Sequence, residues 1–292
     1  MALRQAVGTV GIWSSALRAD QPAVRAEVAE AVAELEELGY GALWVGGSSD
    51  VGHAARLIEA TSRIVVATGI LSIWQHEAAD VAEAHARLAK EHPGRFLLGL
   101  GASHAKLAAD YRRPYSAMRA YLDALDAAPT PVPVGERVLA ALGPKMLRLS
   151  AARSAGAHPY LVTAEHTAQA REMLGDGPLL APELKVVLES DPERARTLGR
   201  GIVTYYLELP NYTANLRRLG FGDDDFRDGG SDRLVDALIA WGDDDRVRAR
   251  VAEFHAAGAD HVALQVVTGT EHARLPRAQW RRLAALLDLG AS

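Results

Sequence analysis

Four short stretches of this chain hold residue types and spacings able to do chemistry. Gly143-Pro144-Lys145 stands at the start of a predicted helix running from Met146 to Ala155. A helix start presents unpaired backbone amides and the positive end of the dipole, and Lys145 adds a charge, which together suit a phosphate. The same residues also fit a plain turn with proline in the first helical position. Gly99-Leu-Gly101 runs into Ala102-Ser103-His104, where His104 is a general acid or hydrogen-bond donor candidate as well as an ordinary histidine at a helix start. Gly46-Gly-Ser-Ser49 and Gly69-Ile70 each follow an apolar run and let a ligand approach the backbone. Trp13 and Trp74 offer ring faces for stacking or for packing. A cup of amides, small residues and tryptophans suits a large flat aromatic cofactor carrying a phosphate, and such a cofactor would carry the hard chemistry.

Other chemistries lack their residues. The chain has no cysteine, so disulfides, thiolate metal sites and a cysteine nucleophile are excluded. There is no His-Glu-x-x-His and no histidine in the first predicted strand, and no metal is expected. Only Glu189 and Glu165 stand near predicted strand ends, too few acids for a glycosidase pair. Gly-x-Ser-x-Gly, a phosphate-binding Walker loop and a full Gly-x-Gly-x-x-Gly are missing too. Thirty-two basic residues are scattered among 37 acidic ones, for a net charge of −5, which argues against nucleic acid. The acid runs Asp223-Asp-Asp225 and Asp243-Asp-Asp245 fit helix caps better than a calcium loop. Ile64 to Trp74 is far short of the roughly 20 apolar residues of a membrane span. Met1 to Trp13 lacks the pattern of an export signal. The expectation is a cytoplasmic protein that acts on a small molecule, with no nucleic-acid or membrane partner.

The elements that must position these residues form a repeating unit. An amphipathic helix from Ala23 to Leu38 ends at Gly39, and Ala42-Leu-Trp-Val45 follows as a strand apolar on both faces. Similar joints recur at 60–66, 91–100, 154–161 and 256–267, and Ala6–Ile12, Val138–Leu142 and Lys185–Glu189 bring the predicted strands to eight. Eight apolar strands with short connections favour a (β/α)8 barrel over an open doubly wound sheet, as a single domain over residues 1–292. Pro129-Thr-Pro-Val-Pro133 reads as a loop, and Tyr205 to Trp241 as helices inserted between strands seven and eight. Trp241 and Trp280 fall in predicted helices, as packing residues. His158 falls early in a strand and reads as structural. Catalytic residues of such barrels stand just after the strands, where all four stretches lie.

Arg63-Ile-Val-Val-Ala-Thr-Gly-Ile70, His92-Pro-Gly-Arg-Phe-Leu-Leu-Gly-Leu-Gly101, Leu139-Ala-Ala-Leu-Gly-Pro-Lys-Met146 and His158-Pro-Tyr-Leu-Val-Thr-Ala-Glu-His-Thr167 resemble the bacterial luciferase-like superfamily of flavin- and deazaflavin-dependent oxidoreductases. The match is strongest with its coenzyme F420 branch. The resemblance implies a TIM barrel, a homodimer, and a non-prolyl cis peptide at Gly69-Ile70 backing the cofactor ring. It also implies that Gly143, Pro144, Lys145 and Thr163 surround the cofactor phosphate. Sugar-phosphate dehydrogenases of the family carry Asp-His where this chain has Gly47-Ser48, and Glu where it has Ala102, so that substrate does not carry over. Here Trp13, Gly46, Gly47 and Ser48 are expected at the ring, and His104 or Ser103 as the proton source for hydride transfer with F420. The alternatives are an FMN-dependent monooxygenase on the same barrel, and a non-catalytic flavin-binding barrel.

Overall fold

Strands apolar on both faces need cover on both, and this chain provides it by alternating them with helices. The structure, a computed structural model, describes residues 3–104, 111–270 and 274–290. Its strands are β1 (Val10–Ser14), β2 (Ala42–Val45), β3 (Val65–Thr68), β4 (Leu71–Ser72), β5 (Phe96–Gly101), β6 (Arg137–Leu139), β7 (Gly156–Ala157), β8 (Leu179–Leu180), β9 (Glu183–Val187), β10 (Ile239–Trp241) and β11 (Val262–Val266). All their pairings are parallel. The hydrogen-bonded order is β10, β9, β11, β1, β2, β3, β5, β6, β7, β8. Because β8 and β9 are successive pieces of one extended run, broken only at Ala181-Pro182, the ring closes through that run into a TIM barrel. β4 extends β3 beyond Gly69-Ile70 and pairs with β5, and β10 lies outside the ring against β9.

Alternation sends successive side chains to opposite sides. Ala42, Trp44, Val65 and Ala67 enter the cluster inside the barrel, while Leu43, Val45 and Val66 pack outward under the helices. That division accounts for the unbroken apolar runs. Thr68 Oγ1 donates to the Gly99 carbonyl at 2.8 Å and accepts from the Gly99 amide at 2.8 Å, which locks β3 to β5. A Cβ on Gly99 would lie 1.9 Å from the Thr68 carbonyl oxygen, so this position requires glycine.

Several boundaries differ from the sequence expectation. The first strand begins at Val10, not Ala6: residues Leu3–Ala6 are helical, and Gly8, at φ +64°, turns the chain against Gly41. The seventh starts earlier and ends at Val187, because the run on either side of Pro182 pairs with its neighbours. Trp241 is in β10, not a helix, with its indole packed under Arg246. Its three-residue apolar segment is too short to show a period, and only the exposed edge of β9 makes it a strand. Helices Pro192–Leu207, Pro210–Arg218 and Asp232–Leu238 do fill the insertion. Asp243 caps the helix Asp244–Ala256, but Ser231 rather than the 223–225 acid run caps Asp232–Leu238. Trp280 is buried in a helix, and its carbonyl accepts from Tyr40 Oη. Among the described residues, no helix is long and apolar enough to cross a membrane.

One carboxylate pins a helix-to-strand joint. Glu36, near the end of helix Arg25–Glu37, is 7% exposed and accepts from Ser62 Oγ and from the amides of Ser62, Arg63 and Ile64. Burial by itself would raise its pKa, but these four donors outweigh it and bring the carboxyl from 4.5 down to about 2. A folded pKa below the unfolded one means the stabilisation is complete above pH 4.5 and is lost as pH falls towards 2. Glu36→Gln should therefore remove about 2 to 3 kcal/mol near neutral pH and flatten the acid limb of stability between those limits, as measured by urea unfolding across pH.

Candidate active site

The strands end together around a cavity of about 690 Å³. Its floor rests on the rings that fill the barrel. Trp44 is fully buried, stacks on His158 with centroids 4.1 Å apart and planes 11° from parallel, and donates its indole N–H to His261 Nε2 at 3.0 Å. Since that nitrogen accepts, the His261 proton is on Nδ1, which donates to the Gly8 carbonyl at 3.0 Å. Burial holds both imidazoles neutral, with pKa values near 4. His158 is thus structural, as its place in the sequence suggests, and also part of the cavity wall.

The structure brings together many of the residues singled out from sequence. Trp13, Gly47, Ser48, Gly69, Ile70, Ser103, His104 and Gly143 all line the cavity. Trp13 is fixed by its N–H bond to the Gly69 carbonyl at 2.9 Å, and its ring meets Tyr160 at 5.1 Å. The Gly69–Ile70 peptide is cis. Gly47 and Ser48 turn at φ +72° and +54°, and the Gly47 carbonyl accepts from Arg18. His104 sits edge-on to Tyr205, with ring centroids 5.9 Å apart. Trp74 lies behind the wall, where it donates to the Ala102 carbonyl and meets Tyr111.

Others stand outside the wall. Gly46 packs beneath Trp13, whose ring atoms Cζ2 and Cη2 would be 2.4 Å from a Cβ there. Lys145 is exposed, and Pro144 opens the helix Pro144–Arg153 without facing the cavity. Thr163 is 6% exposed and accepts from the His166 amide, capping the helix Ala164–Leu174. His166 Nε2 donates to the Leu142 carbonyl at 2.9 Å, which ties this helix start to the one at Gly143. Gly143 caps with no side chain of its own.

Sequence reasoning missed most of the opposite wall. Tyr205 and Tyr206 come from the helix Pro192–Leu207 and Tyr212 from Pro210–Arg218; Tyr206 and Tyr212 meet Tyr160, just after β7, and Tyr205 meets Tyr206. Tyr160 Oη donates to Gln265 Oε1 at 2.8 Å and accepts from Tyr206 Oη at 3.0 Å. Beneath them Lys185 and Glu183, both fully buried, pair at 2.9 Å. Arg218 lies beside Gly143, with Nη2 3.7 Å from where a Cβ would be. The signal was a cluster of tyrosines in an otherwise polar insertion, but nothing local shows that the insertion folds over the rim.

A family model described as luciferase-like monooxygenase matches residues 8–261. The chain belongs to this family. No curated protein matches the chain by sequence. Among solved structures, the luciferase-like chain is similar to an F420-dependent secondary alcohol dehydrogenase in complex with an F420-acetone adduct, at 12% identity and a TM-score of 0.72, covering 97% of this chain and 99% of that one. It is also similar to the coenzyme F420 dependent tetrahydromethanopterin reductase from Methanopyrus kandleri, at 16% identity and TM-score 0.64, covering 97% and 96%. The oxygenating constituent of 3,6-diketocamphane monooxygenase from Pseudomonas putida, in complex with FMN, matches at 15% identity and TM-score 0.63, covering 96% of each chain. These likenesses establish the fold, and the family is one of oxidoreductases and monooxygenases.

The seat of Trp13 in this luciferase-like barrel is testable. Gly46→Ala puts a methyl into the indole and should push it from its 8%-exposed position into the cavity. We expect a loss of about 1 to 3 kcal/mol in stability and increased acrylamide quenching of tryptophan fluorescence.

Proposed function

We propose that this barrel is an oxidoreductase that uses the deazaflavin coenzyme F420 to move a hydride to or from a small organic substrate held in the rim cavity. The observation that carries this reading is the make-up of the cavity wall. One side is small residues and backbone at Gly47, Gly69, Ile70 and Ala102, and its edge is Gly143 with the Arg218 guanidinium beside it. A flat ring fits against the former. Gly143, at a helix start with no side-chain cap, and Arg218 suit the phosphate of the coenzyme. The F420-dependent relatives support this choice of coenzyme, and the FMN complex supplies the alternative.

Bound there, the coenzyme supplies hydride transfer at the C5 position of its ring. The protein's share is orientation and proton handling. Trp13, held by the Gly69 carbonyl, and Ile70 keep the ring and substrate side by side. In this reading Ser103 or His104, which follow β5 and line the cavity, gives or takes the proton that accompanies the hydride. Ser103 adopts φ +54°, a backbone conformation that turns the segment sharply as it leaves the strand.

Fluorescence titration of the purified protein with oxidised F420 and, separately, with FMN tests the assignment. F420 should bind at micromolar concentrations or tighter and FMN more weakly; preference for FMN would replace hydride transfer by the monooxygenase reading, and binding of neither would support a barrel without this cofactor site. Arg218→Ala should weaken the bound coenzyme about tenfold, with the gap shrinking at high salt. His104→Ala and Ser103→Ala should each lower turnover at least about a hundredfold while leaving coenzyme affinity unchanged; full turnover in both would remove them from proton transfer.

A further inference from the structure

The hydrogen-bonded chain along the tyrosine wall has a direction, and a buried cation sets it. Lys185 Nζ donates to Glu183 Oε1 at 2.9 Å and to Gln265 Oε1 at 3.3 Å, and lies 3.9 Å from the centroid of the Tyr160 ring. Glu183 is anchored from its other side, where Oε2 accepts from the Leu161 amide at 3.0 Å. An ammonium has three hydrogens and no lone pair, so the amide atom of Gln265 that faces it has to be the oxygen. That same oxygen lies 2.8 Å from Tyr160 Oη and can only accept, so Tyr160 gives its single proton to it. Tyr206 Oη, 3.0 Å further along, then gives its proton to Tyr160. What Tyr206 has left is a lone pair.

His158 presents the same polarity. Its Nδ1 is 2.6 Å from the Ala181 carbonyl oxygen, so the proton is on Nδ1. Nε2 is then a bare acceptor, in a side chain 1% exposed, with no hydrogen-bond partner among the described residues. Tyr206 and His158 both line the cavity, His158 with Nε2 itself buried behind that wall.

We propose that this part of the cavity is an acceptor site positioned by Lys185, and that the substrate enters as a hydrogen-bond donor, an alcohol or amine rather than the corresponding ketone or imine. The substrate class rests on the reading of the cavity as the substrate site of an oxidoreductase; the polarity of the chain does not. Burial keeps the hydroxyls protonated, with Tyr206 pushed up to about 12 and Tyr160 also well above its ordinary value. The chain ends on the Gln265 amide, which takes up no proton. Tyr206 therefore recognises the donor without removing its proton, and that removal falls to a group outside the chain such as His104.

Two experiments test this. Neutron diffraction from crystals of the deuterated full chain reads the polarity directly: the deuteron of Tyr206 should point to Tyr160 and the Gln265 nitrogen away from Lys185. A Tyr206 deuteron pointing into the cavity overturns the proposal even if F420 binds. Titration of the coenzyme-loaded protein with matched probes, 1-phenylethanol against acetophenone and cyclohexanol against cyclohexanone, reads the substrate class. The alcohols should bind about three- to tenfold tighter, and Tyr206→Phe should bring the ratio close to one. Glu183→Gln combined with Lys185→Met frees the amide to flip and should lower the same ratio, a change that a purely structural loss, followed by melting temperature, does not produce. Equal or tighter ketone binding, failure of both alcohols to bind, or an alcohol preference that survives Tyr206→Phe overturns the donor assignment. A polarity as expected with no coenzyme binding would instead leave the acceptor wall standing and remove the oxidoreductase reading.

Discussion

The interior of a closed parallel barrel has to be filled by side chains, and how it is filled sets the height and chemistry of everything at the rim. In this chain the central filling is Trp44, stacked on His158 and hydrogen-bonded to His261. Three rings from β2, the β7 end and the start of β11 meet there, so three separate staves are tied at one point. A tryptophan in a dry interior needs an acceptor for its N–H, and His261 provides one only as a neutral ring with its proton on the far nitrogen. The Gly8 carbonyl takes that proton, and burial keeps the ring neutral. Gly11 leaves the room this arrangement needs, since a Cβ there would meet His261 Nε2 at 2.7 Å. Trp13 lines the cavity together with His158, the one ring of this filling that reaches its wall.

Among the described residues, Arg137 and Lys185 enter the interior with partners. Arg137 on β6 is fully buried and pairs with Asp126 at 2.7 Å while donating to the Arg153 carbonyl. Lys185 on β9 pairs with Glu183, and burial draws its pKa downward against that partner's pull. An isolated buried charge is costly, so each cation fixes the groups around it. The two pairs differ in what they reach: Arg137 ties a strand to helix ends on the outside of the barrel, whereas Lys185 acts through Gln265 and Tyr160 on the cavity wall. Removing either partner alone leaves the other buried and unpaired, which makes both positions intolerant of single changes.

The two walls of the cavity have different origins. One is built from strand ends, where glycines and small residues hold the backbone close to any ligand. The other is built from the inserted helices 192–218, which bring tyrosines over the rim and place Arg218 beside Gly143. The strand ends position Ser103 and His104 at the cavity, and the insertion supplies ring faces and hydroxyls. In a barrel, chemistry of this kind changes by altering the loops and insertions while the strands stay the same.

Much of this was legible in the residues because it is local. Apolar runs of strand length separated by amphipathic helices specify a covered parallel sheet. Glycine at 46, 47, 69 and 99 marks places where backbone meets something closely, and all but the first and seventh of the eight strands fell close to where their apolar patterns put them. Eight of the twelve residues singled out at the rim line the cavity, since a residue just after a barrel strand faces it by geometry. Gly46, Pro144, Lys145 and Thr163 do not: a few residues along a turn or first helical turn is enough to rotate a side chain away, and only the fold fixes that rotation. The strand β10, the pairing across Pro182, the tyrosine wall, Arg218 beside Gly143 and the contact of the buried Lys185 with Gln265 join segments tens to more than a hundred residues apart. No periodicity records such contacts, because they exist only once the ring has closed and the insertion has folded back over its rim.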